Sequence, residues 1–416
     1  MDREPIVIVG GGIAGLSLAL HLHQRDIACQ IYEAAPEIKP LGVGISLLPH
    51  GTKALAQLGL LDELRERAVV FRESCFVTRQ GQFVYRDPAV SEFPQFLIHR
   101  ADLHEVLYEA VHERLGAHAV MLGHTCIGVD DGAAGAEAHF IDTRTREPLP
   151  SRAGRAVIAC DGIHSMIRAQ FYPDEGAPVF SGVNMWRGTT IHPPVQSGGS
   201  HLRIGTVDRG KMVIYPIRNL PDGRQLVNWV AEVRQEEAGP VDWSVPGRVE
   251  DVLPAFDDWT FDWLDVPALI RDAEAILEYP MSDRDPIDRW TFGHVTLTGD
   301  AAHPMIPRGS NGAMQAILDT VALADALAEE AETGDALLAY ERVRREAVNA
   351  VVLKNRVTPP DHLIEVVEER TGGQTFERVE DVISNDEIHA ILDSYKAVAG
   401  YSRAVLVDAD DRGSGS

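Results

Sequence analysis

The chain has 416 residues, 45% of them hydrophobic and 24% charged, enough apolar material for large cores and too much for wholesale disorder. Asp and Glu total 63 against 38 Lys and Arg, a formal charge of −25, so most of the surface repels phosphate backbones and nucleic acid is disfavoured as a partner. No apolar run approaches the roughly 20 residues of a membrane helix, and Cys29, Cys75, Cys126 and Cys160 are too scattered for a zinc site or a disulfide framework.

The first apolar run, Ile6 to Val9, is continuous and β-branched, the pattern of a strand buried on both faces. Glycines follow at once, then a helical run rich in Ala and Leu to about Asp26, then a second strand over 28–32 that stops at Glu33. Nothing resembling a leader precedes Ile6, and with these cysteines the expectation is a cytoplasmic protein. Residues 34–60 hold a glycine-punctuated stretch around Val43 and Gly44 and predict a helix from about Pro49 to Leu58. Short strands are expected within 71–87 and 94–98, then a helix from His99 to about Leu115. Residues 118–160 alternate like antiparallel strands and end in the apolar run Ala156 to Cys160. Strands are predicted at 183–191, 200–206, 211–217 and 225–233, turns and a helix within 236–262, and a buried strand at 293–299. Helices follow over about 312–355 and, in a polar region expected to lie on the first domain, over 359–400. Residues 408–416 read as a disordered tail.

This order predicts an interleaved α/β protein. A Rossmann-like unit spans 1–70, 95–172 and 281–355, and a β-rich unit spans 71–94 and 173–280. A helical region at 356–407 follows.

Three constellations carry chemistry. Gly10-x-Gly12-x-x-Gly15 lies between strand and helix. Its glycines allow a tight turn, a close approach of backbone to a pyrophosphate and close helix–strand packing, and the helix start supplies N–H donors. Glu33, at the end of the second strand, is placed to accept ribose hydroxyls, which favours NAD or FAD over NADP. In the second, Cys160-Asp161-Gly162 ends a strand and Ser165 and Arg168 open a helix; ordinary turn chemistry explains these residues as well as function does. The third runs from Gly299-Asp300 through His303-Pro304 to Gly309-Ser310-Asn311-Gly312, a Pro/Gly-rich loop with free backbone donors at a helix start.

Together these motifs, in this order over about 350 residues, resemble the group A flavoprotein monooxygenases, the single-component aromatic hydroxylases. Segments such as Met185-Trp186-Arg187-Gly188, Asn228-Trp229 and Ser310-Asn311-Gly312 are most similar to the phenazine-carboxylate members, and more distantly to salicylate, hydroxybenzoate and hydroxynicotinate hydroxylases. The resemblance implies a glutathione-reductase-type FAD-binding domain with an inserted β-sheet substrate domain and C-terminal helices. It implies that Gly10, Gly12, Gly15 and Glu33 hold the ADP half of FAD. Arg100 and Asp300 would touch the ribityl–pyrophosphate region, and Asp161 and Gly162 would serve FAD and NAD(P)H. Gly309, Asn311 and Gly312 would face the flavin ring on one side and Val43 and Gly44 on the other. Many relatives read Gly-Gln-Gly where this chain has Ser310-Asn311-Gly312, which bears on the ring contacts.

The implied activity is hydroxylation of a small, electron-rich aromatic, carboxylic-acid, aminohydroxybenzoate- or phenazine-like. It uses FAD, NADH or NADPH, and O₂, through a C4a-hydroperoxyflavin, with or without loss of a ring carboxylate. An oxidase or dehydrogenase of the same fold is the alternative. No metal or membrane is implied, and the protein is expected as monomer or homodimer. Substrate contacts are expected from the inserted sheet and its neighbours: Ser46, Arg187, Arg203, Tyr215 and Asn228, with Trp186 and Trp229 as further candidates. Tyr215 reads either as a phenol acting on substrate or as a satisfied core residue. Pro304 is expected beside the flavin, and His303 and His50 are lesser candidates.

Overall fold

The computed structural model describes residues 4–39, 42–89, 91–236 and 245–402. The tail expected at 408–416 and part of the turn region at 236–262 lie outside the described residues.

All four residues of β1 (Ile6–Val9) are buried, because the strand is paired on both edges. Ile6 lies opposite Cys29 of β2 (Cys29–Tyr32) on one side and Ala156 of the Ala156–Ala159 strand on the other, both parallel. The resulting six-stranded sheet runs in the order 291–292, 295–297, 156–159, β1, β2, 120–121. Only its 291–292 edge strand pairs antiparallel. Helices α1 (Ile13–His23), Arg100–Leu115 and Gly312–Glu329 cover it, and Leu16, Leu20, Val106, Leu107 and Ile317 share one apolar core with the strands. The antiparallel meander expected within 118–160 is present as 124–131, 136–142 and 148–154. The run that follows it, Ala156–Ala159, instead enters the parallel sheet.

A second sheet of seven strands runs 275–283, 179–192, 225–234, 210–219, 200–206, 73–77, 83–88. Every pairing in it is antiparallel except that between 200–204 and 73–77. Alternation gives its strands two apolar faces. Along Gly210–Asn219, Met212 and Ile214 join a core with Trp229, Phe256 and Trp259, whereas Tyr215 and Ile217 turn to Val69 and Leu97. A small sheet of β3 (Gly44–Leu47), Phe96–His99 and Val69–Val70 lies beside that second face. The helix α2 (Pro49–Gln57) follows β3 directly.

The C-terminal helices His362–Thr371 and Asn385–Ala399 do not lie simply on the first domain, as their sequence position led us to expect. Leu363, Ile364, Val367, Ile388 and Leu392 pack against Phe76 and Val84 of the second sheet. Their spacing of three and four residues makes a narrow stripe on an otherwise polar helix, which mean composition conceals. The second helix also touches Thr333–Val357, so it bridges both parts of the molecule. Among the described residues no helix is long and apolar enough to cross a membrane.

Candidate active site

The three glycine-containing motifs converge on the carboxyl ends of the parallel strands, where ligands of open α/β sheets bind. Gly10 has φ +107, and a Cβ on it would lie 2.4 Å from the Cys160 carbonyl oxygen; a Cβ on Gly15 would lie 1.9 Å from the carbonyl oxygen of Gly10. Both positions therefore admit only glycine. Gly12 differs: nothing approaches within 4 Å of a Cβ placed there. It faces open space at the start of α1, whose first turn has no side-chain cap. Its N–H groups are free to meet an anion.

Glu33 holds this turn from the neighbouring strand end. Its two oxygens accept the backbone N–H groups of Gly11 at 2.6 Å and Ala35 at 2.7 Å. Each oxygen keeps further acceptor capacity.

A second uncapped helix start, that of Gly312–Glu329, lies next to the first. A Cβ on Gly299 would meet Ala14 of α1 and Ala316 of that helix, each at 3.2 Å, so the Gly299-Asp300 turn is wedged between the two helices. Asp300 is exposed at the cleft floor; the surrounding protein pushes its pKa above the ordinary carboxylate value, against the pull of His303 and Arg100. Arg100 is exposed, and its backbone N–H donates to Val43. Asp161 accepts the Met166 N–H at 3.0 Å through one oxygen while the other is buried without a partner, and burial pushes its pKa up. Ser165 caps its helix by accepting from the Arg168 N–H, and Arg168 is tied to Glu175 and the Ala302 carbonyl. That pair is structural.

The turn after Asp300 is braced from beneath. Asp319 takes His303 Nε2 at 2.5 Å, Arg344 Nε at 2.8 Å and the Gly299 N–H at 3.1 Å. Burial alone would raise the Asp319 pKa, but the charges of His303 and Arg344 hold it below the usual carboxylate value. His303 is thus a brace, and the adjoining Pro304 is buried. The chain then turns through Gly309 to Asn311, whose Oδ1 is buried.

A cavity of about 580 Å³ opens beyond this turn. Its walls include Ser46, Pro49, Phe71, Phe96, His201, Arg203, Gly309 and Ser310, with His389, Lys396 and Tyr401 from the C-terminus. Ser46 Oγ and His201 Nδ1 are buried without partners among the described residues. The His201 ring stacks on Tyr215, centroids 4.7 Å apart and 10° from parallel, and burial holds it uncharged, its pKa well below the ordinary histidine value. Arg203 pairs with Asp361 at 3.0 Å and donates to Ser74.

The structure separates the substrate candidates. Ser46 and Arg203 line the cavity, and Tyr215 stands one ring behind its wall. Arg187 and Asn228 instead turn to Gly44: Arg187 Nη2 donates to its carbonyl at 2.9 Å, and Asn228 Oδ1 accepts its N–H at 2.8 Å. A Cβ on Gly44 would lie 2.7 Å from the Tyr215 ring. Trp186 and Trp229 belong to the core on the far face of the sheet, and His50 is buried under Tyr401. Sequence reasoning missed His201 and the entire contribution of Asn385–Ala399. The capping pair Ser384 and Glu387, followed by Ile388, Leu392, Tyr395 and Ala399 on one face, was the available signal.

The cleft fits a flavin dinucleotide. Two uncapped helix starts, the open side of Gly12 and the unpaired oxygen of Asp161 are what an anionic, hydrogen-bonding ligand satisfies. Among the described residues no cluster of His, Cys, Asp and Glu could hold a metal.

Comparison with known proteins agrees. The model of the FAD binding domain family matches residues 3–355. The chain is 40% identical over 365 residues to phenazine 1,6-dicarboxylic acid hydroxylase PhzS of Lysobacter antibioticus, covering 85% of this chain and 89% of the relative. It is 34% identical over 367 residues to 3-amino-4-hydroxybenzoate 2-monooxygenase PtmB3 of Streptomyces platensis, with 85% and 87% covered. A salicylate hydroxylase substrate complex superposes with a TM-score of 0.74 at 22% identity, covering 98% of each chain. Klebsiella pneumoniae HpxO complexed with FAD and uric acid gives 0.70 at 22%, covering 97% and 95%. The chain belongs to the FAD binding domain family and, within it, to the FAD-dependent aromatic monooxygenases.

Proposed function

We propose that the protein hydroxylates an aromatic acid of the phenazine or aminohydroxybenzoate type, held in the 580 Å³ cavity, with NAD(P)H and O₂ as co-substrates. One observation carries this reading: the cavity wall is shared between the Gly309-Ser310 loop at the cofactor cleft and the sheet residues His201 and Arg203. A ring held there lies beside the site of the cofactor. The relatives that act on phenazine dicarboxylate and aminohydroxybenzoate support the substrate class. Residues 71–94 and 173–280 are proposed as the substrate domain, inserted in an FAD domain of 1–70, 95–172 and 281–355.

Bound FAD, reduced by NAD(P)H, supplies the activation of O₂. The chain supplies the rest. Gly10, Gly12, Gly15 and Glu33 are assigned to the ADP half, and Arg100, Asp161, Gly162 and Asp300 to the middle of the dinucleotide. Val43 and Gly44 are assigned to one side of the ring, and Gly309, Asn311 and Gly312 to the other. Arg187 and Asn228 hold Gly44 in place from the sheet, so their role is positioning. Tyr215 keeps its proton, because burial raises its pKa more than the neighbouring Arg187 lowers it. As a neutral phenol it stacks on the His201 ring. Uncharged His201 and Ser46 offer hydrogen bonds to a ring hydroxyl or ring nitrogen, and Arg203 has donors for a carboxylate. Phe71 and Phe96 exclude water from that ring. The protein is assigned as a monomer or homodimer.

The test is NADH and NADPH oxidation by FAD-loaded protein with O₂ uptake across phenazine carboxylates and hydroxy- and amino-benzoates. The mass of each product is measured. The expected result is a product one oxygen atom heavier, or one with hydroxyl in place of carboxylate. Cofactor oxidation that yields only H₂O₂ with every compound would overturn this substrate class.

A further inference from the structure

The helix Asn385–Ala399 lies beyond residues 3–355, the span that the family model matches, yet it reaches into the Gly309–Gly312 loop. Tyr395 is 1% exposed, and the polarity of its hydrogen bonds is fixed from outside. Asn355 spends its Nδ2 on Met305 Sδ and the Ile306 carbonyl, so its Oδ1 faces Tyr395 and accepts the phenolic proton at 2.6 Å. With its one proton given to Asn355, or to the more distant Arg308 carbonyl at 3.3 Å, the phenol oxygen is left to accept, and it accepts Asn311 Nδ2 at 2.8 Å. The same Nδ2 also donates to the Gly309 carbonyl at 3.1 Å. This sets the orientation of the Asn311 amide, with Nδ2 held by the loop and the phenol and Oδ1 at its other, buried end.

The loop backbone depends on the same phenol. Gly309 and Ser310 take successive left-handed conformations, φ 82 and φ 60, costly at Ser310 unless neighbours impose it. A Cβ on Gly309 would lie 1.8 Å from the Tyr395 hydroxyl, so the phenol fills the space of any side chain at 309. The helix that carries Tyr395 is itself anchored on several elements. Lys396 pairs with Asp87 at 2.7 Å, the Ala399 carbonyl accepts from Gln315, and His389, Asp393 and Lys396 line the cavity.

We propose that Tyr395 is a positioning residue that fixes the flavin-facing loop through Asn311 and Gly309, and so ties the flavin environment to the helix that walls the substrate cavity. This rests on the reading of that loop as flavin-facing.

The test uses the full chain loaded with FAD. Tyr395→Phe keeps the ring and removes the hydroxyl. The expected result is a shifted flavin absorption spectrum and reduction potential, an FAD dissociation constant raised roughly fivefold, and a larger share of NAD(P)H diverted to H₂O₂. Leu392→Ala is the comparison. It loosens the same helix at its apolar seat, and is expected to lower Tm while leaving spectrum and potential unchanged. Gly309→Ala tests the loop itself and is expected to shift both. If Gly309→Ala shifts them and Tyr395→Phe does not, or if Leu392→Ala shifts them as much as Tyr395→Phe, the role of Tyr395 is refuted. If neither Gly309→Ala nor Tyr395→Phe shifts them, the loop does not face the flavin, and the assignment of its residues falls as well.

Discussion

Glu33 does two jobs with one carboxylate. It closes the glycine turn through Gly11 and Ala35, and its remaining acceptor capacity is proposed for the ribose. Hydrogen bonds to a charged acceptor are worth about 1.5–3 kcal/mol each. Glu33→Ala is therefore expected to weaken FAD binding at least tenfold, measured by flavin fluorescence quenching on titration into apoprotein. Unchanged affinity would place the ribose elsewhere. Its place beside the glycines was legible in the sequence because it follows from local geometry: a strand, a turn and a helix of fixed dimensions bring the second strand end to the glycines. Arg187 and Asn228 were legible only as residues of strands in the seven-stranded sheet. Whether their polar ends meet a substrate or Gly44 depends on how closely β3 approaches that sheet. That distance is set by Gly44 lacking a side chain: a Cβ there would lie 2.7 Å from Tyr215 and from Ile217. Nothing in the strand's own pattern encodes it.

The elements divide in the same way. The strands predicted at 183–191, 200–206, 211–217 and 225–233 occur as 179–192, 200–206, 210–219 and 225–234, since alternation and turn residues are local signals. The seat of the C-terminal helices is not local. Besides the apolar stripe, it rests on a buried charge cluster: Asp361, just ahead of helix His362–Thr371, takes Lys211 at 2.5 Å and Arg203 at 3.0 Å, and Lys211 also reaches Glu232 at 3.0 Å. Residues from four separate stretches of chain meet there, so no window of sequence reveals the cluster. Burial would raise the Asp361 pKa, but Lys211 and Arg203 hold it below the usual carboxylate value. Asp361→Asn removes the carboxylate that Lys211 and Arg203 share, and removing one partner of such a cluster costs about 3 kcal/mol or more. The expected outcome is a lower Tm together with earlier proteolytic release of the segment after Val357. Loss of Tm without that release would mean the cluster stabilises the second sheet and not the helices.

At the scale of the whole molecule, acid acts first on histidines. His21 in α1 and His50 in α2 are buried. Burial and the charges of Arg25 and Arg344 respectively lower their pKa values from 6.5 to about 4 and about 3. His201 beside the 580 Å³ cavity is lowered too, chiefly by burial. For each, the folded pKa is below the unfolded one, so the unfolded chain binds more protons once the pH falls below the unfolded value. Stability is then full above about pH 6.5 and declines below it, by up to about 1.4 kcal/mol per pH unit per histidine, until each folded pKa is reached. The depressed carboxylates Asp319 and Asp361 follow the same sign further into acid. They lose their contribution progressively as the pH falls from the ordinary carboxylate value to their lowered ones. Tm is therefore expected to hold down to about pH 6.5 and to fall steeply by about pH 5, before the carboxylates titrate. His21→Leu removes one of the three groups from a site 0% exposed in the first core and is expected to make that fall shallower while sparing the cavity. A wild-type Tm flat over that interval would show that these rings are already protonated, or still exposed, in the native protein. An acid fall as steep in His21→Leu as in wild type would assign the loss to His50 and His201, the two that lie against Tyr401 and the cavity wall. Substrate binding would then weaken over the same interval.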